Sequence, residues 1–339
     1  MTTIKDIARV AGVSVTTVSR GLNGYSDVSE KTRKKIFEVA KELNYSPNTL
    51  ARGLVMNKTK TFGLLVSGLD QSSAKDNITF NILSGINKFV GECGYDLVLF
   101  STTSTKQREK TYTQLCRERR VDGAIIQGIR TDDPYLREVV ESDIPCVLID
   151  IPLTSPTVGY VTTDNVLGAK KAVQHLIHLG HKRIGLINGH DFAFVSQQRL
   201  KGYEEALEEA NIPINPEWIG NGEFSEEAAE LIALKLLEAH PEITAIFSAS
   251  DLMALGVLRA ARKLGINVPN ELSIIGFDNI ILASYVTPSL TTIGQDTFQT
   301  GYEAARLLLS ILENEQEPRI VSLGIELKIR ESTKPPKSE

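Results

Sequence analysis

From Phe62 onward this chain is punctuated by short, nearly continuous apolar runs separated by amphipathic helical stretches, and few folds accept that pattern. FGLLVSG from Phe62, YDLVLFS from Tyr95, VDGAIIQG from Val121 and IPCVLID from Ile144 lack the polar alternation of a half-exposed strand. They read as parallel strands covered on both faces, with the intervening helices as crossovers. The rhythm recurs in RIGLIN from Arg183, TAIFSAS from Thr244 and ELSIIGFD from Glu271. Helices that end at Cys93, Leu179 and Leu264 are each followed by glycine, the residue that most readily takes the left-handed stop. The expectation is α/β: two doubly wound parallel-sheet subdomains of similar design.

The first sixty residues follow another rule. Ile4, Ile7, Ala8 and Ala11 recur at helical spacing, Gly12 breaks the pattern, and Val15, Val18 and Leu22 resume it. Ser14 is placed to cap the second helix, and Ser29 with Glu30 opens a third through Ile36, Val39, Ala40 and Leu43. Three short helices with a tight turn between the first two make an all-α helix-turn-helix headpiece. This head holds eleven Lys or Arg against five Asp or Glu, while the remainder holds 26 basic and 37 acidic residues. A basic head on an acidic body suits a polyanionic partner; the plainer alternative is a solvated basic helical face.

Between head and body, Ser46-Pro47-Asn48 reads as a cap followed by Pro at the first helical position. The helix it opens, about Pro47 to Met56, contains Gly53, which costs about 1 kcal/mol relative to Ala. Isolated helices under about 12 to 15 residues are marginal in water, so this connector needs a partner surface to fold. The expected boundaries are 1–46 for the headpiece, 47–61 for the hinge helix and linker, and 62–330 for the body, with 331–339 a polar tail. Within the body, the first subdomain is expected at about 62–161 and 290–320, and the second at about 162–289 and 321–330.

Bulk properties exclude several classes. No apolar run approaches the roughly eighteen residues of a membrane span, and the N-terminus lacks a secretory layout, so a cytoplasmic protein is expected. Cys93, Cys116 and Cys146 are odd in number, lack metal-ligand spacing and read as reduced structural thiols. There is no G-x-S-x-G elbow and no G-x-x-x-x-G-K-[ST] phosphate loop. His175, His178 and His181 point in different directions around a helix, so neither metal nor cofactor is expected and an enzyme is disfavoured.

TIKDIARVAGVSVTTVSRGLNG, VSEKTRKKI and LNYSPNTLARGL together resemble the heads of the lac-repressor/galactose-repressor family. TDNVLGAKKAVQHLIHLGHKRIGLI, RLKGYEEALEEANI, SDLMALGVLRAARKLGI, NELSIIGFDN and PSLTTIGQD extend the resemblance over nearly the full chain. It implies a transcriptional repressor that binds a palindromic operator as a homodimer and answers to a small-molecule effector, most often a sugar. Val15, Thr16 and Arg20 then face base edges, Arg20 being able to fork onto guanine, while Thr17 and Ser19 lie nearer phosphates and Asn23 closes the set. The alternative for Arg20 is a phosphate or surface arginine. Leu54, apolar on a short polar helix, becomes a minor-groove wedge, with Ala51 permitting close approach and Arg52 near phosphates. Otherwise Leu54 packs on its own body or on a dimer mate. Family members normally carry a larger residue at the position of Gly21 and often Ser at that of Gly53.

For the body, the resemblance is to periplasmic-type sugar-binding proteins that close two subdomains over a ligand. It assigns effector contacts to Asp150, Arg199 and Asp278; carboxylates accept from paired hydroxyls and a guanidinium offers a donor fork. The alternatives are a loop acid, a surface ion pair and a turn residue, respectively. Phe80 is a candidate for stacking on a ligand ring or for core, and Ser250 stands where several relatives have Asn, with Asp251 expected to cap the next helix. Two rivals remain: a free-standing sugar-binding protein, and a global regulator controlled by a phosphorylated carrier protein.

Overall fold

The structure is a computed structural model that describes residues 2–45, 59–67, 77–102, 110–316 and 318–337. The chain divides into two compact units, residues 1–59 and 60–339. The hinge helix expected from Pro47, with Ala51, Arg52 and Leu54, lies outside the described residues.

In the head, α1 (Ile4–Ala11), α2 (Val15–Leu22) and α3 (Glu30–Glu42) enclose Ile7, Ala11, Val18 and Ile36, all nearly without exposure. The Asp6 carboxylate accepts from both the N–H and the hydroxyl of Thr3, which closes the first turn of α1. Ser14 and Ser29 cap α2 and α3 through the amides of Thr17 and Thr32. Gly21 faces inward, and a Cβ there would stand 2.8 Å from Cδ1 of Ile36, so Ile36 occupies the room a larger residue needs.

The body opens with β1 (Thr61–Ser67), α4 (Ile78–Glu92), β2 (Asp96–Thr102), α5 (Tyr112–Arg119), β3 (Gly123–Gln127), α6 (Leu136–Glu141), β4 (Cys146–Ile149) and β5 (Val158–Thr163). It continues through α7 (Asn165–His178), β6 (Ile184–Asn188), α8 (Phe194–Glu209), β7 (Ile219–Asn221), α9 (Glu226–Ala239), β8 (Ala245–Ser248), α10 (Asp251–Lys263) and β9 (Ser273–Asp278). The last elements are β10 (Thr291–Gln295), α11 (Thr297–Leu312), β11 (Ile320–Leu323) and β12 (Ile325–Lys328). The sheets are ordered β11-β5-β4-β3-β1-β2 and β12-β10-β9-β8-β6-β7. Every pairing is parallel except the antiparallel β10–β12 edge. The seven apolar runs of the sequence are all strands, and the central ones are buried throughout.

The subdomain limits differ from the sequence expectation. β10, at 291–295, pairs with β9 in the second sheet and not in the first, whereas β11, at 320–323, pairs with β5 in the first sheet and not in the second. The physical reason lies in the passages between sheets. After β5 the chain enters the second subdomain, after β10 it returns through α11, and at Gly324 it crosses again to β12. β11 alternates exposed and half-buried residues because it is an edge strand, so no apolar run announced it.

Gly85 of α4 and Gly301 of α11 let these helices meet backbone to backbone. A Cβ on either would lie 2.0 Å from a carbonyl oxygen of the other helix, Phe298 or Ile82. The three cysteines are unpaired, and burial pushes the Cys116 thiol up to about 11 and raises that of Cys146 as well. His175 bonds Thr333 Oγ1 at 3.0 Å, and the buried His181 meets Thr244, Ser273 and the Lys334 carbonyl, so both hold the C-terminal segment on the second sheet.

Candidate functional site

The outward face of α2 is built by elimination. Val18 and Gly21 turn into the core, which leaves Val15, Thr16 and Arg20 exposed. Thr17 and Ser19 are half-buried, and the Thr17 hydroxyl lies 2.8 Å from Ser14 Oγ. Asn23 ends the helix by donating its amide to the Ser19 carbonyl at 3.1 Å. Arg20 does not hang free: its Nε is 2.8 Å from Asp27 Oδ2, and its guanidinium lies 5.1 Å from the Tyr25 ring centre. This pairing fixes the direction in which the arginine leaves the helix.

In the body, the C-terminal ends of strands and the buried face of α8 bring charged groups together. Arg199 is only 3 % exposed, which excludes a surface ion pair. Its Nε donates to Asn165 Oδ1 at 2.8 Å, and its Nη1 donates to the Ala249 carbonyl and stands 3.5 Å from Asp278 Oδ1. The guanidinium carbon sits 3.7 Å from the Phe277 ring centre. Burial pulls the Arg199 pKa down, and the charges of Asp278, Asp150 and Asp251, in that order, oppose the shift. Among the described residues, no protein acceptor is bonded to Nη2 of this arginine.

Asp150 ends β4 in the left-handed region, φ +58°, and accepts from the Thr162 hydroxyl at 2.7 Å. Burial raises its pKa, countered first by that hydrogen bond and then by Arg199. Asp278 ends β9 at φ +114° and accepts from Gln295 Nε2 at 2.7 Å. Asp278 and Gln295 also line a cavity of about 560 Å³ with Asn81, Asn279 and Thr297, where the start of α4 faces the ends of β9 and β10. Its size falls within the roughly 300 to 1,000 Å³ of small-molecule sites.

Asp150, Arg199 and Asp278 thus come together; the other two candidates do not. Phe80 is 65 % exposed on the first turn of α4, outside both the charged group and the cavity lining, and is not core. Ser250 is buried and occupied as the N-cap of α10, accepting from Met253 N at 3.2 Å. Asp251, expected to cap that helix, instead turns its carboxylate to Thr292 and Ile280. Sequence reasoning missed Asn165, Thr162 and Gln295. Asn165 and Gln295 sit in the TDN and IGQD segments, whose polar residues at strand ends were the available signal. Between the loops that follow β3 and β6, Thr131 donates to the Phe192 carbonyl through both N–H (2.9 Å) and hydroxyl (3.1 Å), and Arg130 covers the Phe192 ring at 4.2 Å.

Comparison with known proteins agrees with this arrangement. Residues 3–48 match the model described as bacterial regulatory proteins, lacI family, and 173–333 match a periplasmic binding protein-like domain. The HTH-type transcriptional repressor PurR of Vibrio parahaemolyticus is 37% identical over 338 residues, 98% of this chain and 99% of that protein. This chain belongs to the lacI family of bacterial regulatory proteins. PurR of Photobacterium profundum is 35% identical over 98% of the chain and 99% of that protein. The lac repressor dimer bound to operator and the anti-inducer ONPF superposes with a TM-score of 0.83 at 28% identity, covering 98% of this chain and 99% of that one. The transcriptional regulator CelR in complex with cellobiose gives 0.76 at 32% identity, covering 98% and 100%. As a lacI-family member the chain is a DNA-binding transcriptional repressor under effector control, acting in the cytoplasm.

Proposed function

We propose that this repressor reads a palindromic operator as a homodimer through Val15, Thr16, Thr17, Ser19, Arg20 and Asn23, and that a neutral polyhydroxylated effector, a sugar or sugar derivative, sets its operator affinity. The headpiece at 1–46 and a hinge at 47–61 carrying Ala51, Arg52 and Leu54 do the DNA work, and the body holds the effector without covalent chemistry. One observation carries the effector reading: Arg199 is buried 3.5 Å from Asp278 and within electrostatic reach of Asp150, and among the described residues no acceptor is bonded to its Nη2. Donor fork and acceptor carboxylates around one point suit vicinal hydroxyls, whereas an anionic ligand meets like charge there. Exposed Ile281, Leu282 and Tyr285 beside α10 offer apolar surface for pairing.

A flat heteroaromatic effector is a second reading, favoured by Phe224, which meets His190 edge-on at 5.6 Å between ring centres. Phe224 and Glu223 both adopt φ +52°, a conformation that bulky residues keep only where surroundings enforce it. The test is thermal unfolding of the full chain with D-ribose, cellobiose, D-glucose 6-phosphate and hypoxanthine, since a ligand of the folded state raises the melting temperature. A neutral sugar that shifts the parent protein and not Asp278→Ala supports the first reading. A shift by hypoxanthine alone selects the second, and a shift by the sugar phosphate alone overturns the assignment of a neutral ligand.

A further inference from the structure

Asp251 is fully buried, yet neither DNA recognition nor effector contact uses it. Its Oδ2 accepts from the Ile280 amide at 2.9 Å, and its Oδ1 takes the Thr292 hydroxyl at 2.6 Å. Ile280 closes a turn in which Asp278 has φ +114° and Asn279 φ +56°. Two successive non-glycine residues in that region persist only if their neighbours hold them. Gln295 also holds Asp278, and Arg330 Nη2 donates to Asn279 Oδ1 at 2.7 Å. Gly276 makes room for the arrangement, since a Cβ there would lie 2.1 Å from Asp251 Oδ1.

We infer that Asp251 is a positioning residue for the effector site: it pins the 278–280 turn through the Ile280 amide and so aims Asp278 at Arg199. The same short segment fixes the other partner, because the Ala249 carbonyl, two residues before Asp251, accepts from Arg199 Nη1. Acid and base of the site are therefore registered against one another by three consecutive residues at the start of α10. That Asp278 contacts effector rests on the function proposed above; that Asp251 sets its turn does not.

Burial, and then the charge of Asp278, push the Asp251 carboxyl well above the ordinary carboxylate range, so a neutral isostere is the milder substitution. Asparagine keeps a carbonyl acceptor for the Ile280 amide, and its amide donates to the Thr292 hydroxyl oxygen once that hydroxyl turns its proton away from it. The experiment is hydrogen–deuterium exchange of the full chain, unliganded, for the parent, Asp251→Asn and Asp251→Ala. The Ile280 amide should be protected in the parent and in Asp251→Asn, and should exchange on the order of tenfold faster or more in Asp251→Ala. In parallel, calorimetry with D-ribose, cellobiose and hypoxanthine should show about tenfold weaker binding for Asp251→Ala, near-parent binding for Asp251→Asn, and unchanged operator affinity for both.

An unprotected Ile280 amide in the parent overturns the inference, as does exchange in Asp251→Asn that is as fast as in a folded Asp251→Ala. If Asp251→Ala does not fold, the parent and Asp251→Asn still decide: faster exchange at Ile280 in Asp251→Asn counts against it. Should none of the three compounds bind the parent, the effector reading fails for those ligands, while the exchange result still stands or falls alone.

Discussion

Arg20 Nε lies 2.8 Å from the carboxylate of Asp27. Both side chains are about half exposed, so the pair contributes little to folding and is available for exchange with DNA. Asp27→Asn should therefore strengthen binding to operator and to random duplex alike, by removing a repelling charge and releasing the arginine. Arg20→Ala should cost about 1 to 3 kcal/mol on operator only, the usual worth of a bidentate base contact. Fluorescence anisotropy over a salt series separates the two, because phosphate contacts steepen the salt dependence and base contacts do not.

Leu54→Ala, in the expected hinge, should lower operator affinity by much more than affinity for random DNA. A wedge between base steps acts only where the duplex deforms readily. Equal losses on both duplexes count against a wedge.

Asp278→Ala should abolish the effector response while leaving operator binding intact, measured by anisotropy with and without the compound that shifts the parent protein. Arg199→Lys should weaken the response too, because an ammonium cannot bond Asn165, Ala249 and a ligand in one plane.

Gly301→Ala sets two effects against each other. Alanine gains about 1 kcal/mol of helix propensity over glycine. Yet its Cβ would meet the Ile82 carbonyl at 2.0 Å, and overpacking of a close helix contact costs typically about 1 to 3 kcal/mol. A net loss in urea melts is expected; a gain means that α4 and α11 can separate at little cost.

Burial lowers the pKa of His175 and of His181 from 6.5. A group whose folded value is depressed contributes stability above its unfolded pKa and loses it as pH falls through the folded value. Melting temperature should accordingly drop between about pH 7.5 and 5.5, and the drop should be smaller in His175→Gln than in the parent. The raised carboxyls of Asp150 and Asp251 act in the opposite sense, favouring the fold at low pH and losing that contribution as pH rises. The comparison between parent and variant isolates the histidine.

The central strands and the helix-turn-helix were legible because burial on both faces and helical spacing leave direct marks in FGLLVSG or in Val15, Val18 and Leu22. The two C-terminal edge strands leave none. IVSL and IELK expose part of every residue, and the exchange of β10 and β11 between the sheets leaves no mark in the sequence. The charged centre was only partly readable for a related reason. Asp150, Arg199 and Asp278 were singled out by the family resemblance, but their polar supports Asn165, Thr162 and Gln295 are ordinary residues whose importance arises from distance alone. Phe80 stayed open between ligand and core because an aromatic in sequence carries no label for the face it occupies; its exposure excludes the core.

The backbone runs three times between the two sheets, after β5, after β10 and at Gly324. Any displacement of one sheet against the other must therefore be absorbed by the backbone at all three crossings. A compound that touched both sheets would load those three stretches of chain at once.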